Sequence, residues 1–178
     1  IDPDKDVTLR AIGGSALRAT ALEKNIVAGA PFTPEDTVRL MRIGFPMIAN
    51  LSDTLNIPQS IVATRNEVLE KMPDTAKRFL KAFILGIQFA RGNKADAIKA
   101  GYDGGLQGEP DIISQAYQLY APALTADLSL NVAGFQFMLD EDKRSGLIDG
   151  KFTLDKVINE RILKIAQQEL RAEGRLKP

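Results

Sequence analysis

Gly13, Gly14 and Ser15, with Arg18 just beyond them and Pro31 and Phe32 further on, are the residues whose types and spacing bear most directly on chemistry. A glycine pair that leaves a strand and opens a helix exposes backbone N–H groups, and the helix dipole favours an anionic group beside them. Ser15 suits the N-cap, where its hydroxyl accepts from an orphan N–H of the first turn. Arg18 either offers a bidentate guanidinium to an anion or pairs on the surface with Glu23 or Asp36. Phe32 either stacks on a ligand or belongs to the core. The same Gly-Gly-Ser also occurs as a plain turn between a strand and a helix, so the loop needs support from its surroundings.

Those surroundings read as one β-loop-α-β unit. Val7, Leu9 and Ala11 alternate with Thr8, Arg10 and Ile12, a period near two that predicts a strand. The pair Gly13-Gly14 ends it, Ala16, Leu17, Ala19, Ala21 and Leu22 build a short helix, and Lys24-Asn25 turns the chain into a second, parallel strand over 26–30. Thr33-Pro34-Glu35-Asp36 is a helix start with its cap, a proline at the first helical position and two acids in the first turn. That helix is expected to stop at Gly44, with further strands over 47–51 and 60–64.

Beyond Asn66 the pattern turns wholly helical. Pro73-Asp74 opens a helix whose Ala76, Phe79, Leu80, Phe83, Ile84 and Ile87 recur at three and four, predicting an apolar stripe. Further helices are expected over 66–71, over 93–100 closed by Gly101, from Pro110, over 131–147, and from a cap at Thr153. The order β-α-β-α-β-β followed by helices predicts an α/β fold. It divides into residues 1–55, a partial α/β lobe carrying the glycine loop, and 56–178, a crossover strand with a helical part of the other lobe. Such a layout leaves the sheet half covered. The start, Ile1-Asp2 with no Met, is expected to be that of a processed or truncated piece.

Composition narrows the chemistry. Hydrophobic residues are 44% and charged residues 26% of 178, the profile of a globular protein with a core. Lys+Arg and Asp+Glu stand at 23 each, which argues against nucleic acid as a partner. Cysteine and histidine are absent, so disulfides, thiolate nucleophiles, Cys/His zinc sites and histidine general bases are excluded. Asp140-Glu141-Asp142 lacks the alternating spacing and glycine of a calcium loop and is assigned no site. No cofactor or metal is called for. Tyr117 and Tyr120 read as packing, and no apolar run is long enough to span a membrane.

An ordered set of residues gives these readings a family context. Asp2-Pro3-Asp4-Lys5-Asp6-Val7, Gly13-Gly14, Arg18 with Ala21-Leu22, Ala30-Pro31, Gly44-Phe45, Leu51 with Asp53, Ile57-Pro58, Ala63-Thr64-Arg65, Pro73-Asp74 and the run 77–82 with Gly86-Ile87 follow one another. The chain over residues 2–124 resembles the C-terminal portion of periplasmic solute-binding proteins of ABC importers, closest to those for nitrate, sulfonates, taurine and thiamine-precursor pyrimidines. The resemblance implies a periplasmic-binding-protein type 2 fold with the solute held between two lobes. It also implies an ABC permease in the membrane as partner, and a periplasmic or extracellular, membrane-associated location with the signal segment outside this sequence. By the same resemblance Gly13, Gly14 and Ser15 sit at the cleft edge, with Pro31 and Phe32 after a strand lining it. The chain departs from that group at Ile26-Val27-Ala28, where an acidic residue is usual. It also lacks the histidine and the cysteine-rich segment of the related pyrimidine synthases.

The expected function is therefore capture of a small polar or anionic solute, without catalysis. Two alternatives stand beside it: an enzyme using carboxylates such as Asp53 or Glu67, and a helical sensor or interaction domain. Self-association is expected if the chain is truncated.

Overall fold

In the computed structural model, which describes residues 2, 5–53, 55, 57, 58 and 60–176, every regular element among the described residues is helical. The α-helices are α1 (Ser15–Glu23), α2 (Pro34–Arg42), α3 (Asn66–Lys71), α4 (Pro73–Gly92), α5 (Lys94–Asp103), α6 (Pro110–Tyr120), α7 (Val132–Arg144) and α8 (Arg161–Ala172). Short 3₁₀ turns lie at Leu51–Asp53, Ala121–Ala123 and Leu154–Lys156. Pro3 and Asp4, quoted in the family resemblance, and the side chain of Asp53 lie outside the described residues.

The strands expected at 7–12, 26–30, 47–51 and 60–64 are not formed, and this overturns the α/β, periplasmic-binding-protein type 2 fold class. Alternation prescribes a pleat but cannot supply the neighbouring backbone that must take up its N–H and C=O groups. Among the described residues, 7–12 and 60–64 make no backbone-to-backbone hydrogen bond. Apart from partly buried Ile12, their apolar side chains face solvent, Leu9 at 87% exposure, and Ile48 in the third segment reaches 92%. In the second segment the backbone is already committed. Ile26 N–H donates to Ala21 O (2.8 Å) and Asn25 N–H to Leu22 O (3.0 Å), closing the C-terminus of α1 instead of starting a ladder.

That closure recurs. With Asn25 left-handed (φ 55°), the paired bonds form a Schellman motif. The same pair of bonds ends α2 at Gly44, α5 at Gly105, α7 at Gly146 and α8 at Gly174. At the other end, Thr33 caps α2 by accepting from Asp36 N–H (3.4 Å), and Asn131 caps α7 by accepting from Gly134 N–H (3.0 Å). Helix α5 runs through Gly101, where a stop was expected. The helix expected from Thr153 is interrupted: a 3₁₀ turn follows Thr153, and α8 begins only after Asn159, whose Oδ1 accepts from Arg161 N–H (3.1 Å).

Two helix pairs carry most of the packing. Helix α4 lies on α8, and the best-formed core gathers Ile84, Leu163, Leu170 and Leu176 with Leu80, Leu85 and Leu128 against it. Helix α2 lies on α6, with Val38, Leu40, Ile112, Ile113 and Ala116 buried. Arg42 of α2 reaches Asp111 and, at 3.4 Å, Glu109 at the start of α6. Tyr117 Oη donates to the carbonyls of Ala90 and, at 3.2 Å, Arg91, tying α6 to the end of α4. Only part of the stripe expected on α4 is covered: Ile84 is fully buried, whereas Phe79 and Phe83 are 52% and 44% exposed.

Candidate functional site

The loop before α1 and the segment before α2 meet through one side chain. Gly13 takes φ 103°, a conformation natural to glycine, and Gly14 in extended backbone is the N-cap of α1. Ser15 is therefore the first helical residue and not the cap, a correction by one position. No side chain caps this helix, so the N–H groups of its first turn have no side-chain acceptor. The Ser15 hydroxyl oxygen is buried and has no hydrogen-bond partner. Arg18, one turn on, donates from Nη1 to Gly13 O (2.6 Å) and from Nε to Pro31 O (3.0 Å). Pro31 is exposed and Phe32 partly buried where the chain enters α2.

All six residues expected at the site thus belong to one locality, five of them joined by Arg18 and the turn it closes. Neither surface partner expected for Arg18 engages it. Asp36 instead pairs with Arg39 (3.2 Å) on α2, and Glu23 lies at the far end of α1. Among the described residues no carboxylate stands within ion-pair distance of Arg18, so its charge is held by two neutral carbonyl groups. An unneutralised guanidinium, a helix N-terminus without a cap and an orphaned hydroxyl together favour negative charge.

A second cluster was missed by sequence reasoning. Lys77 and Lys81 on α4 face Glu169 of α8 and Glu173 just past its end, with Lys77 Nζ to Glu169 at 2.7 Å, Lys81 Nζ to Glu169 at 3.1 Å and Lys81 Nζ to Glu173 at 2.5 Å. They border an open cavity of about 610 Å³ whose walls include Arg78, Leu85 and Arg175. The Lys77 hydrogen bond holds the Glu169 carboxyl below the usual glutamate range, and Lys81 does the same to Glu173. In return, Glu169 raises Lys77, and Glu173 with Glu169 raises Lys81. The legible signal was a pair of like charges at i, i+4 along α4 and again at the end of α8, opposite in sign between the two. These charges satisfy one another and clasp α4 to α8.

Of the remaining charged candidates, Glu141 and Asp140 are engaged locally. Glu141 pairs with Arg144 (2.5 Å) and Asp140 accepts from Gln136 (2.8 Å), both along α7. Glu67 is exposed in the first turn of α3. Among the described residues no group of three or more metal-ligating side chains converges, and no described helix is long and apolar enough to cross a membrane. No family model, curated protein or solved structure matches the chain.

Proposed function

We propose that the protein is the solute-capturing component of an ABC importer, and that it takes a small anionic solute, a sulfonate, nitrate or an anionic pyrimidine-like compound, at the turn formed by Gly13, Gly14 and Ser15. The observation that carries the binding reading is Arg18. A guanidinium with no carboxylate beside it among the described residues, fixed on Gly13 O and Pro31 O at an uncapped helix N-terminus, is electrostatically incomplete until an anion is present. Ser15 Oγ supplies a donor within the same turn. The importer assignment, the permease partner and the periplasmic or extracellular address rest on the ordered resemblance of residues 2–124. Because no sheet is formed among the described residues, the interlobe cleft of that family is not part of this reading.

The test is thermal unfolding and calorimetric titration with nitrate, taurine and an anionic pyrimidine, each added separately. Binding at a hundred times Kd should stabilise the fold by about 2.7 kcal/mol. The bound compound should be recovered unchanged, and Arg18→Ala should abolish the shift. If none of the three compounds binds, or if Arg18→Ala binds as well as the parent, the proposal fails.

A further inference from the structure

Helix α4 carries an apolar seam that the described residues leave open at Phe79, Ala82, Phe83 and Gly86. Phe79, Phe83, Gly86 and Ala90 are separated by four, three and four residues, the spacing of a heptad seam, and Ala82 and Ile87 flank them. They line an open groove of about 320 Å³ without a charged residue on its walls. The two phenyl rings stack on each other with centroids 5.7 Å apart, while an added Cβ at Gly86 would meet nothing within 4 Å. The opposite face of α4, with Ile84, is already buried against α8. The seam therefore has bulk at its N-terminal half and a hollow at its C-terminal half.

That asymmetry matches itself under a two-fold rotation. If two copies of α4 lie antiparallel, with the axis crossing between residues 84 and 85, Phe83 meets the partner's Gly86 and Phe79 meets the partner's Ala90. Bulk then fills hollow four times over. A parallel pair would instead set phenyl against phenyl and leave Gly86 facing Gly86. The surface to be covered is abundant: the chain exposes 12687 Å², whereas a compact monomer of this mass exposes about 8,500 Å². A standard interface takes roughly 800 Å² from each partner, well within that surplus.

We infer that the chain forms a two-fold symmetric homodimer through an antiparallel pairing of α4, with Phe79 and Phe83 of each copy seated over Gly86 and Ala90 of the other. The interface is isologous and closes on itself, so assembly stops at two.

Light scattering and native mass spectrometry over about a hundredfold range of concentration test this, since an obligate pair responds to protomer concentration. The expected mass is twice 19.4 kDa. Gly86→Leu fills the hollow, and leucine favours a helix more than glycine does. It should give a monomer with an undiminished far-ultraviolet helical signal, which separates loss of pairing from loss of fold. The sequence has no cysteine, so single cysteines report the register. A short bismaleimide should capture dimers of Gly86→Cys but not of Ala76→Cys, whose copies lie about 25 Å apart along antiparallel axes. A monomeric parent, a polydisperse aggregate, a dimer that persists in Gly86→Leu, or cross-linking at Ala76→Cys would each overturn the inference.

Discussion

Ser15 holds a hydroxyl oxygen that is out of water and, among the described residues, without a partner, a state that costs free energy and is relieved by any acceptor placed beside it. Ser15→Ala should therefore leave stability unchanged or raise it by up to about 1 kcal/mol, as read from urea midpoints. It should at the same time weaken anion binding by roughly tenfold, the loss of one hydrogen bond to a charged group. The two effects have opposite sign, which no purely structural role for the hydroxyl reproduces. Gly13→Ala acts differently: at φ 103°, with an added Cβ only 3.2 Å from Leu17 Cδ1, it should destabilise the fold by about 1–2 kcal/mol. At this scale the sequence was informative about place and less so about partners. Gly-Gly-Ser marked the turn because only a few residue types tolerate it. That Gly14 and not Ser15 is the cap is a matter of one residue of register. That Arg18 reaches two carbonyls was invisible, because every residue has a carbonyl and none of them marks itself.

Between elements, the clasp of Lys77 and Lys81 with Glu169 and Glu173 makes the α4–α8 pairing dependent on pH at both extremes. Glu169 and Glu173 are held below their ordinary range, so their contribution is present above the unfolded-state value and is lost as pH falls through the folded-state value. Lys77 and Lys81 are raised, so theirs is present below the ordinary lysine range and is lost as pH rises through the elevated value. Melting curves of the parent and of Glu169→Gln should differ by a constant amount through neutral pH and converge on acidification. A difference unchanged at acidic pH would show that the carboxylate is not engaged. Closure of α8 offers a separate check. Gly174 (φ 65°) turns the chain so that Leu176 returns onto Leu170 in the core, and Gly174→Ala should cost about 1 kcal/mol. Helix ends were the most legible features of this chain, since Thr33 and Gly44 sit where caps and closures require them. The failures have local causes. Asn159 offers a later start than Thr153, and Gly101 is tolerated within α5 because Gly105 provides the closure. The strands failed for a non-local reason, since Val7, Leu9 and Ile61 carry strand character that only an adjacent backbone could realise.

For the molecule as a whole, surface is the deciding quantity. Against an unfolded chain of about 28,000 Å², the 12687 Å² that remains exposed leaves burial at about four-fifths of what a compact protein of this mass achieves. The urea m-value tracks that burial. For monomeric Gly86→Leu it should fall about a fifth below the norm for this length, and a normal m-value would count against so open a packing of the isolated chain. The segment at 60–65, which has no regular structure, has a consequence of its own. It is exposed and, among the described residues, free of backbone-to-backbone bonds over 60–64, while α2, upstream of it, is fastened to α6 by Val38, Leu40 and the Arg42 ion pairs. Peptide continuity is thus not what retains the N-terminal part of the chain. Trypsin should cut early after Arg65, giving two bands on a denaturing gel that still elute as one particle, and the same two pieces made separately should reassemble when mixed.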